Sequence, residues 1–109
     1  MQKVSIEALA RQQLERAAAT GRNAADTVVG GHERILRQTV VGMTAGSQMS
    51  EHENPGEATI YVLRGSVRLV VDDDGWDGRA GDLLLIPERR HSLLALEDAA
   101  ILLTVAKRP

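Results

Sequence analysis

The chain has 109 residues, 43% of them hydrophobic and 26% charged, with a formal net charge of −2 and no cysteine. That length holds one domain, and the charge balance supplies no field to recruit nucleic acid or an anionic membrane. The absence of thiols excludes disulfides, thiolate metal sites and a cysteine nucleophile.

With no Phe, one Trp and one Tyr, the core rests on Leu, Val and Ile, at about 1.5–3 kcal/mol per fully buried side chain. The N-terminal Met1-Gln2-Lys3 runs into Glu7 and Arg11 rather than an apolar stretch, which argues against a signal peptide. The longest apolar runs, such as Ala99 to Leu103, are far too short to span a bilayer. The chain therefore reads as a cytoplasmic protein with no membrane partner.

In chain order, Ile6, Leu9, Ala10, Leu14, Ala17 and Ala18 recur at helical spacing. Ser5 is placed to cap that helix, Glu7 lies in its first turn and Gly21 follows its end. Residues 1–22 thus form a helical segment that packs on the rest or on a partner, and residues 23–109 form the main domain. From Asp26 onward the texture is short strands broken by Gly and Pro. They run over Thr27–Val29, Ile35–Met43, around Met49, Ala58–Leu63, Val67–Val71, at Trp76-Asp77, and over Leu83–Ile86, His91–Ala95 and Ala100–Ala106. Asn54-Pro55-Gly56 reads as a loop, and Asp73-Asp74-Gly75 as the hairpin turn that best fits the chemistry of tight turns. This pattern predicts an all-β sandwich or barrel preceded by one α-helix. Leu83 to Ile86 and Ile101 to Leu103 are apolar at consecutive positions, which predicts burial of both strand faces and, with it, a homodimer.

Two stretches carry a family resemblance. Gly46-Ser-Gln-Met-Ser-Glu-His52-Glu-Asn54-Pro-Gly-Glu57-Ala58-Thr-Ile-Tyr-Val-Leu-Arg-Gly65 resembles the first cupin motif, and Gly81-Asp-Leu-Leu-Leu-Ile-Pro87-Glu-Arg-Arg-His91 resembles the second. The resemblance spans about Ile35 to Lys107 and implies a cupin-type double-stranded β-helix, a jelly-roll barrel of the RmlC-like superfamily with its site inside. It also implies a divalent metal (Zn, Ni, Mn or Fe) held by His and Glu, but the ligand set is partly replaced. His52 falls on the first His position, Asn54 on the second, and Ala58 on the Glu position, with Glu57 one residue early. His91 arrives one residue sooner after Pro87 than the pattern asks, and Ala95 stands where a terminal Asn belongs. The carried-over metal candidates are thus His52, His91 and Glu57, with Asn54, His32 or water as further donors.

Each candidate has a plainer alternative. His52 and His91 are either facing ligands or buried imidazoles satisfied by a hydrogen bond. His32, after Gly30-Gly31, reads as an exposed turn residue. Arg37 interrupts an apolar strand and either grips a ligand carboxylate or lies over the sheet edge. Inward parity through Ala58, Ile60 and Val62 turns Tyr61 to the outer layer, and Met43 and Met49 read as core or pocket lining.

Two function classes follow. A binding module would hold a small molecule in the barrel, lined by Ile60, Val62 and Leu93, with His52, His91 and Arg37 as polar contacts. A metal-dependent oxygenase or isomerase would use His52 and His91 instead. No catalytic residue is assigned on either reading.

Overall fold

A computed structural model describes residues 2–52 and 56–108, with Glu51 and His52 described by backbone alone. The Asn54-Pro55 part of the expected loop lies outside the described residues. Helix α1 (Ile6–Thr20) starts where the Ser5 hydroxyl accepts a hydrogen bond from the Ala8 amide at 3.2 Å. It ends where Gly21, at φ +70°, takes the left-handed conformation and donates its N–H to the Ala17 carbonyl at 2.8 Å. Nine strands follow among the described residues: β1 (Ala24–Val29), β2 (Leu36–Met43), β3 (Gln48–His52), β4 (Gly56–Arg64), β5 (Ser66–Val71), β6 (Asp74–Arg79), β7 (Leu83–Ile86), β8 (His91–Ala95) and β9 (Ala99–Lys107).

They form two antiparallel sheets, ordered β1-β2-β9-β4-β7 and β3-β8-β5-β6. The inward rows alternate with solvated or helix-covered ones, as a half-wet sheet requires. In β4, Gly56, Ala58, Ile60 and Val62 are buried while Glu57 and Tyr61 are exposed. The rows that meet between the sheets, among them Val41, Met43, Ile60, Val62, Val67, Leu69, Leu93 and Ile101, make one continuous core.

The outer face of β2 takes the helix. Gly42 is where the two backbones meet: an added Cβ there would stand 2.7 Å from the Leu14 amide and closer still to the Gln13 carbonyl. The buried stripe of α1 is Ala10, Gln13 and Ala17, and Ala18 is exposed. The close approach selects small residues and carries Gln13 inside with them.

The β5–β6 hairpin turns two residues earlier than Asp74-Gly75 would place it. Val71 pairs with Asp74, so Asp72 and Asp73 make the turn, and Asp72 supplies the positive φ of +54°. Cross-strand charge explains the choice. This register sets Arg68 opposite Asp77, with guanidinium contacts of 2.6 and 3.1 Å to its carboxylate. A turn centred on Asp74-Gly75 would leave Arg68 opposite Gly81. Opposite charges directly across a ladder are favourable, and Asp tolerates the left-handed region well enough to permit the turn.

Candidate functional site

The start of β8 carries the only buried imidazole among the described residues. His91 opens β8, is 3% exposed and shares the inward row with Leu93 and Ala95. Its Nδ1 lies 2.9 Å from the Arg89 carbonyl oxygen. A carbonyl can only accept, so Nδ1 is the donor in that bond. Arg89 itself reaches across to pair with Asp72, tying the β7–β8 loop to the β5–β6 turn.

A β-bulge decides what stands beside His91. Along β3, Gln48 pairs with Leu94 and Met49 with Leu93, but the next registered pair is His52 with His91. Three residues on β3 thus match two on β8. A bulge of this kind adds one residue to a strand and changes which residue meets its neighbour. Without it, Glu51 would stand opposite His91.

On the facing sheet, Arg37, Val105, Ala58 and Ile86 form one cross-strand row. Val105, Ala58 and Ile86 are buried in the core, whereas Arg37 ends the row exposed to solvent. Arg37 has no ion pair or side-chain hydrogen bond among the described residues. Ile86 and His91 both border one small space between the sheets, together with Met49, Ile60, Leu93, Ile101 and Leu103. That space is about 10 Å³, room for one water at most. Ile60, Val62 and Leu93 are all buried in the core between the sheets. Val62, fully buried, belongs to the closed core.

A family model described as the Cupin domain matches residues 39–106, which run from β2 into β9. The chain belongs to the cupin family. Solved structures agree with this placement. A conserved protein of unknown function from Streptococcus pyogenes is 26% identical with a TM-score of 0.74, covering 81% of this chain and 76% of that one. A cupin superfamily protein from Desulfitobacterium hafniense is 18% identical with a TM-score of 0.73, over 80% and 79% of the two chains. An RmlC-like cupin from Desulfovibrio desulfuricans is 25% identical with a TM-score of 0.70, over 80% and 84%. A search of the curated proteins found no match.

Within this cupin barrel the sequence candidates separate. His52 and His91 are brought together by register. Glu57 is not: it is exposed on the outer face of β4, opposite Ala106 of β9, while Ala58 holds the inward place. A single-residue slip along a strand turns a side chain to the other face, which takes Glu57 away from His91. His32 is exposed in the β1–β2 loop, and Asn54 lies outside the described residues. Among the described residues no group of three or more His, Cys, Asp or Glu side chains converges to hold a metal ion, so they do not supply a metal's donor set by themselves. Sequence reasoning missed Ile86 and Leu103 as neighbours of His91. Their signal was the strand register across β7, β4 and β9, which follows only once the sheet order is known. No helix is long and apolar enough to cross a membrane among the described residues.

Proposed function

We propose that this cupin is a binding protein for a small molecule bearing a carboxylate, held at the open end of the barrel. The supporting observation is the bulge that sets His52 opposite His91, at the end of a barrel whose inward rows are otherwise almost wholly aliphatic. An imidazole is a polar group that can hydrogen-bond a ligand. Arg37, a guanidinium without an ion pair among the described residues, offers a forked donor for a carboxylate. The space below His91 admits no more than a water, so the ligand sits over that histidine and not beneath it. The same reading takes the protein as a cytoplasmic homodimer without nucleic-acid or membrane partners, consistent with a net charge of only −2.

Isothermal calorimetry with acetate, succinate and benzoate tests this. One of the three binds the wild type, and Arg37→Ala weakens it roughly 10- to 100-fold, the size of a charge-assisted hydrogen bond. Absence of heat with all three at millimolar concentration, or equal affinity in Arg37→Ala and His91→Ala, refutes the reading.

The same histidine register favours a second reading, a divalent ion bound by His52 and His91 with further donors from water or the loop, in a metal-dependent oxygenase or isomerase. Such an ion would polarise a bound oxygen group, and the bond from Nδ1 to the Arg89 carbonyl would hold the His91 ring in the ligating tautomer. Titration of untagged protein with Zn²⁺, Ni²⁺ and Mn²⁺ separates the two: binding lost in His91→Ala supports a metal centre, and no heat of binding rejects it.

A further inference from the structure

The space beside His91 is an unusual place for a hard divalent ion. Glu57, the carboxylate the family motif offers, is on the outer face of β4, and Ala58 holds the inward place. Among the described residues the space is lined by His91, five aliphatic side chains and Met49. Nitrogen and oxygen donors are therefore few there, but a sulfur is present. The chain has no cysteine and three methionines. Met43 is sealed in the core, whereas Met49 is half-buried and packs against the core from β3.

Strand register explains why the thioether and the imidazole share this space. Met49 pairs with Leu93, and Leu93 follows His91 by two positions on the inward row of β8. Diagonal neighbours on one face of an antiparallel pair stand about 7–8 Å apart, within reach of a long side chain. The three freely turning bonds of methionine let its sulfur adjust to a group placed in this way.

We propose that Met49 and His91 form a site for a monovalent copper ion, Cu(I), with His52, in register opposite His91, as the third donor. This goes beyond both readings above, since it names a different ion and a ligand outside the family motif. Three properties of the site select the ion. The first is softness: thioether sulfur favours Cu(I), whereas Mg²⁺, Ca²⁺ and Mn²⁺ take carboxylate, carbonyl and water oxygens. The second is size. A space of about 10 Å³ holds one water at most, so a divalent ion on two imidazoles could not keep the waters that complete its shell there. Cu(I) accepts two or three donors and needs no water. The third is charge. The cost of taking an ion into apolar surroundings rises with the square of its charge, so a monovalent ion pays about a quarter of the divalent penalty. With Nδ1 bonded to the Arg89 carbonyl, the imidazole meets the ion through Nε2, an arrangement common among metal-binding histidines.

Anaerobic competition for Cu(I) against bicinchoninate, whose copper complex is coloured, gives the test on the full untagged chain. The wild type withdraws one equivalent of copper. Met49→Leu conserves volume, keeps the far-UV circular dichroism spectrum and weakens the affinity by at least the roughly 10- to 100-fold that a residue merely supporting a ligand would cost. Met43→Leu, in the closed core, leaves the affinity unchanged. In protein labelled at its methionine methyl carbons, Cu(I) shifts the Met49 resonance and leaves that of Met43 in place, and this shift alone decides the matter if Met49→Leu does not fold. No copper withdrawn by the wild type, equal affinity in Met49→Leu, or an unmoved Met49 methyl overturns the proposal. One equivalent of Zn²⁺ held in preference to Cu(I) overturns it as well and leaves the divalent reading in place. The carboxylate reading stands or falls separately, by calorimetry in which copper takes no part.

Discussion

Replacing Gln13 with Met should stabilise the protein. Gln13 is 1% exposed in the helix–sheet interface, and its Nε2 has no hydrogen-bond partner among the described residues. An amide donor buried without a partner costs about 1–3 kcal/mol. Met has nearly the same length and helix propensity, fills irregular space and buries no polar atom. The change also removes the bond that Arg16 donates to Gln13 Oε1 at 3.1 Å. That bond is charge-assisted, but Arg16 is exposed to solvent, which screens it to about 0.5–1 kcal/mol net. The difference leaves roughly 1 kcal/mol in favour of Met, a rise in Tm of about 4 °C for a chain of this size. Urea titration followed by Trp76 fluorescence and by circular dichroism measures it, at fixed protein concentration so that self-association does not enter. An unchanged slope with a higher midpoint is the expected result. A loss of more than about 0.5 kcal/mol refutes the reasoning, because it would mean that Nε2 is satisfied in solution by a water held between helix and sheet.

Gly42→Ala should lower stability by about 1–3 kcal/mol, since the new methyl meets helix backbone that no rotamer change can move; a thermal melt within 2 °C of wild type would contradict the close approach. Asp77→Asn should weaken the fold slightly at pH 7 and not at all in strong acid. The hydrogen bond from Arg68 holds the Asp77 carboxyl below its usual range, so its contribution is present above the unfolded carboxylate pKa of about 3.9 and disappears as pH falls through the lower folded value. Denaturation midpoints of the two proteins at pH 7 and pH 2 check this, and a difference that persists at pH 2 contradicts it.

Much of the fold is legible in the sequence because local chemistry and long-range packing agree there. Ser5 and Gly21 bound the helix because each satisfies backbone groups that the helix leaves unpaired. Leu83–Ile86 and His91–Ala95 appear at the residues expected, since Gly81 and Pro87 punctuate them. The β5–β6 turn was misplaced because Asp-Gly chemistry is local, whereas the Arg68–Asp77 pairing that fixes the register is a contact across strands. Gln13 was missed for a similar reason. Its neighbours Ala10 and Ala17 are small, and only the position of Gly42 on another element shows how near the helix lies. The consecutive apolar residues of β7 predicted burial on both faces, yet in the single chain Leu83 and Leu85 remain exposed.

The site depends on a feature that period-two reasoning cannot see. Counting alternately along β3 from Met49, which packs against the core, predicts Glu51 as the next inward position and assigns His52 to the outside. The bulge between Met49 and His52 absorbs one residue, so that residue 52 and not residue 51 stands opposite His91. On β4, where the pairing with β9 stays regular from Gly56 to Val62 and that with β7 from Ala58 to Tyr61, the alternation holds and keeps Glu57 outside. One irregular strand and one regular strand therefore determine the chemistry at this end of the barrel. They bring two histidines into register and keep Glu57 on the outer face, which is why the proposed reading turns to Arg37, at the exposed end of the facing row, as the charged partner of an acidic ligand.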